Sequence, residues 1–220
     1  MQQINFAETS ILFGVSKQHI SSRTFADCLA VGACDTCSCA VNFYKRRLPH
    51  WLPENKAIFL TWRLYGSLPA GRVANSRLSD GEKFKETEKI LDRSLYGPIW
   101  LKDPRIAQLV VEAIVRGADE LRHYALCSYS VMPNHIHLLV TPRRQIREIT
   151  RALKGTTSRK ANELLHRSGL PFWQDESFDH WVRDDAEFWR LKRYIERNPV
   201  KAGLVQSPEE WPWSSAGRLL

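Results

Sequence analysis

The stretch YSVMPNHIHLLVTP, residues 129–142, decides the fold, because two apolar runs meet there at a tight turn. The runs extend from His123 to Met132 and from His135 to Thr141, and their composition predicts two strands. Pro133 and Asn134 supply the turn between them. Strands joined by so short a connection run antiparallel, so this stretch predicts adjacent antiparallel strands of a sheet.

One further strand and up to four helices are predicted around this pair. Ala57 to Tyr65 is rich in β-branched and aromatic residues and is followed by Gly66, which predicts a strand. The charged stretch from about Ser79 to Arg93 is interpreted as a helix or an ordered loop. Helical signals mark residues 103–121, 145–166 and 184–198. We expect an α/β (α+β) fold in which an antiparallel sheet of about four or five strands carries helices mainly on one face.

The composition indicates an ordinary globular chain with excess positive charge. Of 220 residues 43% are hydrophobic, and 32 Lys and Arg against 24 Asp and Glu give a net charge of +8. A polyanionic partner is therefore expected, nucleic acid ahead of an anionic membrane surface. No apolar run reaches the roughly 18 residues of a membrane span. No basic segment leads into a secretory-type apolar stretch at the N-terminus, so we expect a cytoplasmic location.

Residues 1–43 differ from those that follow, because they mix small, polar and Cys residues without a sustained apolar period. We interpret them as a poorly ordered extension, or as the product of a start codon placed too early, with Val41 a candidate later start. Residues 44–220 are expected to form one domain. The cluster Cys34, Cys37 and Cys39 could indicate zinc, but no second pair or suitably spaced His completes a finger-like set. Reduced thiols are the preferred interpretation.

A His-hydrophobic-His pattern, His135-Ile136-His137, lies inside an apolar strand. Side chains alternate along a strand, so both imidazoles project from one face and Ile136 from the other. Two adjacent neutral imidazoles can chelate a divalent ion. Two outward polar positions on a half-exposed strand would give the same pattern, and the pair alone does not distinguish these alternatives.

The last predicted helix places Tyr194 and Asn198 on one face, because they are four residues apart. An adjacent apolar stripe is expected to pack this helix against the core, and it consists of Phe188, Leu191 and Ile195. The phenol would then lie at the edge of the buried face and reach a cleft. Alternatively, Tyr194 packs its ring and leaves its hydroxyl in water, and Asn198 caps a helix that Pro199 ends.

The helix predicted over 145–166 carries two stripes. Its core stripe is Ile146, Ile149, Leu153, Thr157 and Leu164. The neighbouring basic stripe is Arg144, Arg147, Arg151 and Lys154. Such a stripe is either a nucleic-acid contact or an ordinary solvated face, and the sequence pattern by itself leaves both open.

Three spaced segments resemble the REP-associated tyrosine transposases, which belong to the wider class of HUH single-strand nucleases named after the His-hydrophobic-His pattern. They are YSVMPNHIHLLVTP (129–142), FDHWVRDDAEF (178–188) and YIERNPVKAGLV (194–205). RRLPHW (46–51) and EEWPWSSAG (209–217) resemble the flanking patterns, so the resemblance covers about Tyr44 to Gly217. It implies a ferredoxin-like sandwich over residues 44–220.

The resemblance also implies a chemistry. His135 and His137, with Asn198 as third ligand, would bind Mg²⁺ or Mn²⁺, and Tyr194 would attack single-stranded DNA. The products would be a free 3′-hydroxyl and a 5′-phosphotyrosine, whose bond energy allows rejoining without a nucleotide cofactor. Single-stranded or hairpin DNA at repetitive palindromes would be the partner, with no membrane involved.

The resemblance gives the basic residues a role. DNA contacts are expected from Arg147, Arg151, Lys154, Arg193 and Arg197, and a stacking surface from Trp173 or Trp181, although core packing is preferred for both tryptophans. A histidine-triad hydrolase is rejected, because the position where its third His belongs holds Leu139. A DNA-binding protein without catalytic activity stays open as the alternative.

Overall fold

A four-stranded sheet lies at the centre of the computed structural model, which describes residues 42–45, 49–52, 56–69 and 78–217. The strands of these ranges are β1 Asn42–Lys45, β2 Pro49–Leu52, β3 Ile58–Arg63, β4 Tyr124–Val131, β5 His135–Pro142 and β6 Phe178–Trp181. The helices are α1 Asp80–Asp92, α2 Pro104–Asp119, α3 Ile146–Leu164 and α4 Asp185–Lys201. Short 3₁₀ turns occupy Trp100–Lys102 and Pro208–Glu210.

The central sheet has the order β4-β5-β3-β6, and every neighbouring pair is antiparallel. The predicted turn closes β4 and β5 into a hairpin, where Met132 N donates to His135 O at 2.9 Å. The outer edge of β4 is covered by the C-terminal segment, because Val131 N donates to Trp213 O and Ser215 N to Tyr129 O. Strands β1 and β2 form a separate antiparallel pair.

One side of this sheet, the apolar face, is covered by α2 and α3. The strands contribute Ile58, Leu60, Trp62, Ile136, Leu138 and Val140. The helices contribute Ile106, Val110, Ile114, Ile149 and Leu153. Each large aliphatic side chain buried here stabilises the fold by about 1.5–3 kcal/mol relative to exposure. The predicted core stripe of α3 is confirmed except at its last member, because Leu164 is 38% exposed.

The opposite side, the site face, is covered by α1 and α4. Phe59 and Leu139 pack there against Phe188 and Ile195 of α4, with Phe84 of α1 beside them. Because alternate residues of β5 point to opposite sides, His135 and His137 belong to this face.

The predicted α/β class and its antiparallel sheet are confirmed. Helices cover both faces, however, two on each, whereas the sequence predicts them mainly on one. The difference comes from α1, a highly charged segment whose three inward residues are Phe84, Glu88 and Leu91. Their i, i+4, i+7 spacing places them on one side of a helix, but one of the three is a carboxylate and hides the pattern.

Two helix starts follow ordinary capping chemistry. Ser79 and Glu82 form a reciprocal capping box before α1, and Asp103 caps α2 ahead of Pro104. The C-terminal end of helix α4 differs from the prediction, because the helix continues through Pro199 to Lys201.

The predicted end of α4 at Asn198 is therefore wrong. Pro199 removes one amide donor, but Ala202 N donates to Asn198 O and Leu204 N to Pro199 O, both at 2.9 Å, which carries the last turn past the proline. Gly203 then ends the helix with φ +70°, a conformation favourable for glycine.

The described residues cover the remaining predictions on chain organisation only in part. The predicted boundary after residue 43 falls inside β1, and the zinc hypothesis for Cys34, Cys37 and Cys39 lies outside the described residues. Cys127 of β4 is buried and forms no disulfide with any residue that the structure describes. Among the described helices, none combines the length and apolar character needed to cross a bilayer.

Candidate metal centre and active site

Four buried side chains from three elements converge on the site face. His135 Nε2 and His137 Nε2, both from β5, lie 3.1 Å apart. Glu88 Oε2, from α1, lies 3.1 Å from His137 Nε2 and 3.9 Å from His135 Nε2. Asn198 Nδ2, from α4, lies 2.5 Å from His137 Nε2. The structure thus places the three sequence-predicted ligands together and adds a carboxylate that the sequence did not predict.

Asn134, the second turn residue of the hairpin, orients the first histidine. Its Nδ2 donates to Leu91 O at 3.0 Å, which leaves Oδ1 facing His135 Nδ1 at 2.7 Å as an acceptor. His135 therefore carries its proton on Nδ1 and presents a lone pair on Nε2. His137 Nδ1 is hydrogen-bonded to Thr61 Oγ1 at 2.9 Å. Partners on the far nitrogen are typical of metal-binding histidines, because they fix the tautomer and the ring orientation.

The charges in this cluster are set by burial and by mutual contact. Burial lowers the pKa of His135 to about 3, so its imidazole is neutral at physiological pH. For Glu88, burial opposes ionisation, but His137, His135 and the hydrogen bond from Tyr194 outweigh it and lower the pKa of the carboxyl. A carboxylate and two neutral imidazoles are the protonation states that metal binding requires.

The donor set fits a divalent cation. Lone pairs of His135 Nε2, His137 Nε2 and Glu88 Oε2 face one another within one small cluster. Glu88 Oε1 and Asn198 Oδ1 are buried without a hydrogen-bond partner. Buried oxygens without a hydrogen-bond partner cost free energy. Rotation of the Asn198 amide by half a turn would exchange Oδ1 and Nδ2, so that the oxygen would face the histidines. A cation would satisfy all these groups. Imidazole and carboxylate together suit several divalent ions, Mn²⁺ among them.

Tyr194 extends from α4 into the same cluster. Its hydroxyl donates to Glu88 Oε2 at 2.7 Å, and its ring packs edge-on against His137 and Phe59. Burial and the adjacent Glu88 carboxylate raise the pKa of the phenol. The hydroxyl is therefore protonated at neutral pH and lies within hydrogen-bond distance of a carboxylate that can accept its proton.

A lysine–aspartate pair joins α4 to α1 beside the phenol. Lys201 Nζ donates to Asp92 Oδ2 at 2.7 Å and lies 5.6 Å from the centroid of the Tyr194 ring. Neither Lys201 nor Asp92 belongs to the sequence-predicted site. Together with Glu88 they show that α1 forms one wall of this centre.

The predicted DNA-binding residues divide between two helices. Arg193 and Arg197 are exposed on α4. Arg147, Arg151 and Lys154 are on α3, which covers the apolar face, so the sheet separates them from the histidines.

These three α3 residues line a groove of about 370 Å³ with the segment 171–177. Arg147 and Arg151 are exposed there, whereas Lys154 Nζ donates to Gln174 O at 3.0 Å and Asp175 O at 2.9 Å. Trp173 is buried and donates to Thr157, as the preferred core interpretation predicts.

Comparison with known proteins finds relatives for the central and C-terminal part of the chain. The family described as "Transposase IS200 like" matches residues 101–198, which include all the sequence-predicted ligands and the tyrosine. A curated Haemophilus influenzae protein named for the REP-associated tyrosine transposases is 34% identical over 107 residues, 43% of this chain and 58% of that protein. The REP-associated tyrosine transposase of Escherichia coli is 26% identical over 112 residues, 50% of this chain and 65% of that protein.

The chain is similar in sequence to the REP-associated tyrosine transposases. It spans less than two thirds of the length of either curated relative. A solved structure of a REP-associated tyrosine transposase bound to a REP hairpin is 19% identical, with a TM-score of 0.50, and covers 80% of this chain and 82% of that one. At that identity the likeness supports the fold. Glu88 and Asp92 lie N-terminal to the matched residues, in α1.

Proposed function

We propose that this chain is a REP-associated tyrosine transposase, acting as a metal-dependent single-stranded DNA endonuclease and strand transferase with Tyr194 as its nucleophile. The observation that carries the proposal is the position of the Tyr194 hydroxyl. It lies 2.7 Å from Glu88, in a buried cluster with His135 and His137. A phenol, two imidazoles and a carboxylate in one buried cluster supply a nucleophile, a proton acceptor and ligands for a cation.

The reaction follows from these contacts. The Tyr194 oxygen bonds to phosphorus, and the bond from phosphorus to the 3′ oxygen breaks. Glu88 Oε2, which already accepts the phenol's hydrogen bond, takes its proton, and this proton passes through water to the departing 3′ oxygen, which becomes a hydroxyl. The 5′ side stays attached as a phosphotyrosine diester, so a second 3′-hydroxyl can reverse the step and join new ends.

Four residues would hold a divalent ion for this reaction: His135, His137, Asn198 and Glu88. Glu88 Oε2 lies next to both histidines and to Tyr194, and Glu88 Oε1 is buried without a hydrogen-bond partner, so the carboxylate can serve both the ion and the phenol. Mg²⁺ or Mn²⁺ bound there would polarise the phosphate, which helps a phenol to react at neutral pH because its pKa is near 10 in water and is raised further here by burial and Glu88.

Hairpin DNA is the proposed partner, because the solved relative is bound to a REP hairpin. Exposed Arg193 and Arg197 flank the Tyr194 turn of α4, and the α3 groove adds Arg147, Arg151 and Lys154. Phosphate contacts by such side chains give affinity without reading sequence. We place the catalytic domain in residues 44–220 and the protein in the cytoplasm, where it would meet its DNA.

The test is formation of the covalent protein–DNA adduct. Purified chain is incubated with labelled single-stranded hairpin oligonucleotides from its own genome, with Mn²⁺ or with EDTA, and resolved on a denaturing gel. We expect an adduct with Mn²⁺ that Tyr194→Phe abolishes and that Tyr96→Phe, a change at an exposed tyrosine, leaves unaltered. A wild-type chain that binds the hairpin and never forms the adduct would favour the non-catalytic DNA-binding alternative.

Glu88 is tested separately through ion binding. The rise of Tm with Mn²⁺ measures binding without any turnover, because a ligand that binds only the folded state stabilises it. We expect Glu88→Gln to reduce this rise strongly and Glu86→Gln, a change on the exposed side of α1, to preserve it. An undiminished rise in Glu88→Gln would remove Glu88 from the ligand set.

A further inference from the structure

Lys201 lies beside the candidate nucleophile and is half exposed to solvent. It is seven residues beyond Tyr194, and since a helix turns about 100° per residue, the two side chains leave α4 on nearly the same side. Its Nζ lies 5.6 Å from the Tyr194 ring centroid, and half of its side chain is exposed, at 50%. An ammonium group that contacts solvent therefore lies beside the phenol ring.

The partner of Lys201 comes from a different helix and is largely buried. Asp92, at the end of α1, has a side chain only 10% exposed, and its Oδ1 is buried without a partner while Oδ2 accepts from Lys201. Lys83 and Lys192, by contrast, pair with acidic residues of their own helices. Such local surface pairs contribute little. The Lys201–Asp92 pair instead fixes an ammonium between α1 and α4, the helices that carry Glu88 and Tyr194.

Two carboxylates, those of Glu88 and Asp92, lie near Tyr194. Both carboxylates disfavour further negative charge on the phenol, because they raise its pKa. A phosphodiester carries one negative charge, and further charge reaches its oxygens during transfer. A preorganised cation beside the phenol would stabilise that charge without reorganising as the reaction proceeds.

We propose that Lys201, positioned by Asp92, binds a non-bridging oxygen of the scissile phosphate beside Tyr194. This inference rests on the proposed function and adds to it a phosphate-binding residue that lies outside the family match at 101–198. Lys201 acts by charge and hydrogen bonding and exchanges no proton with the substrate. Asp92 is a positioning residue, because it acts through the lysine.

The first measurement is the rate of adduct formation with hairpin DNA and Mn²⁺. Lys201→Gln is expected to lower the rate about 100-fold, as removal of one preorganised donor does elsewhere. Lys201→Arg should restore most of it, and Asp92→Asn should give a smaller decrease. Lys192→Gln removes the same charge from α4 and should leave the rate unchanged. If Lys201→Gln has a lower Tm than the wild-type chain, Lys201→Met is measured instead, because it keeps the aliphatic stem.

The second measurement separates phosphate binding from a structural effect. The cleavage position is mapped with wild-type chain, and binding is then measured in the non-cleaving Tyr194→Phe background. One hairpin carries the normal linkage and another an uncharged methylphosphonate at that single position. We expect Lys201→Gln to weaken binding of the normal hairpin about tenfold and of the methylphosphonate less than twofold. The rise of Tm with Mn²⁺ should stay the same.

The outcomes are distinguishable. Adduct formation at the wild-type rate in Lys201→Gln would overturn the role of Lys201 and leave the proposed function intact. Equal weakening on both linkages would show a general charge or folding effect and would also overturn it. A wild-type chain that forms no adduct would overturn the proposed function, and the role of Lys201 with it.

Discussion

The two faces of the central sheet differ in chemistry, although β5 contributes alternate side chains to both. From β5, Ile136 and Leu138 enter the apolar face, where α2 and α3 surround them with aliphatic side chains. His135 and His137 enter the site face, where they meet Glu88 and other polar groups without exposure to solvent. Residues one position apart in the chain are therefore subject to different physical requirements.

This difference indicates that the apolar face mainly stabilises the fold and that the site face carries the candidate chemistry. Burial of Ile136 and Leu138 is favourable in any condition. On the site face, Glu88 Oε1 and Asn198 Oδ1 are buried without partners, which costs free energy until a ligand arrives. Substitutions on one face should change unfolding more than chemistry, and on the other face chemistry more than unfolding.

The largest effect on activity is expected from His135→Ala combined with His137→Ala. Metal-dependent cleavage should disappear, because both imidazole ligands are removed, and the rise of Tm with Mn²⁺ should disappear with it. Hairpin affinity without metal, measured by anisotropy, should change only modestly, since phosphate contacts supply most of it. Cleavage at the wild-type rate in this double variant would remove the histidines from the mechanism.

The matched change on the other face is Leu138→Ala, between the same two neighbouring strands. A buried leucine replaced by alanine leaves a cavity and should cost about 2–5 kcal/mol of unfolding free energy. Urea unfolding measures this decrease, and the folded fraction should still form the adduct. The contrast between the two faces would fail if Leu138→Ala abolished cleavage in fully folded protein.

A smaller effect is expected from the α3 groove. Changing Arg147, Arg151 and Lys154 together to Gln should weaken hairpin binding and reduce the slope of log affinity against log salt. The slope should fall by roughly 0.7 for each phosphate that the variant no longer neutralises. The rate of adduct formation at saturating DNA should equal that of the wild-type chain, because α3 covers the face opposite the histidines. An unchanged slope would mean that this stripe is a solvated surface.

The smallest effect is expected from removal of the N-terminal segment. A chain beginning at Val41 should keep its Tm and its adduct rate, because residues 1–40 lie outside both the family resemblance and the match at 101–198. Thermal denaturation and the adduct assay measure both. A lower Tm, or stoichiometric zinc that disappears together with Cys34, Cys37 and Cys39, would make the segment a structural part of the protein.

Local patterns explain what the sequence predicted well. The β4–β5 hairpin depends on a two-residue turn between apolar runs, and the alternation of β5 alone places His135 and His137 on one side. Tyr194 and Asn198 share a helix face for the same local reason. Each of these inferences uses residues within a few positions of one another, where periodicity is informative.

Helix α1 shows why the rest could not be predicted. Glu88 contacts His137 and Tyr194, which are 49 and 106 positions away, and a charged stretch of sequence gives no sign of such distant partners. Phe84 and Leu91 alone do not mark an apolar stripe. The Lys201–Asp92 pair is hidden in the same way, since 109 positions separate its members.

The wide separation of the site residues has a consequence for how the protein folds. Glu88, the two histidines and Asn198 come from three elements, spread over half of the chain. An intermediate that had formed only the β4–β5 hairpin would hold the histidines without the carboxylate or the amide, and such distant pairings form late because loop closure must precede them. Affinity for Mn²⁺ would therefore report the final assembly step, when α1 and α4 meet over the hairpin.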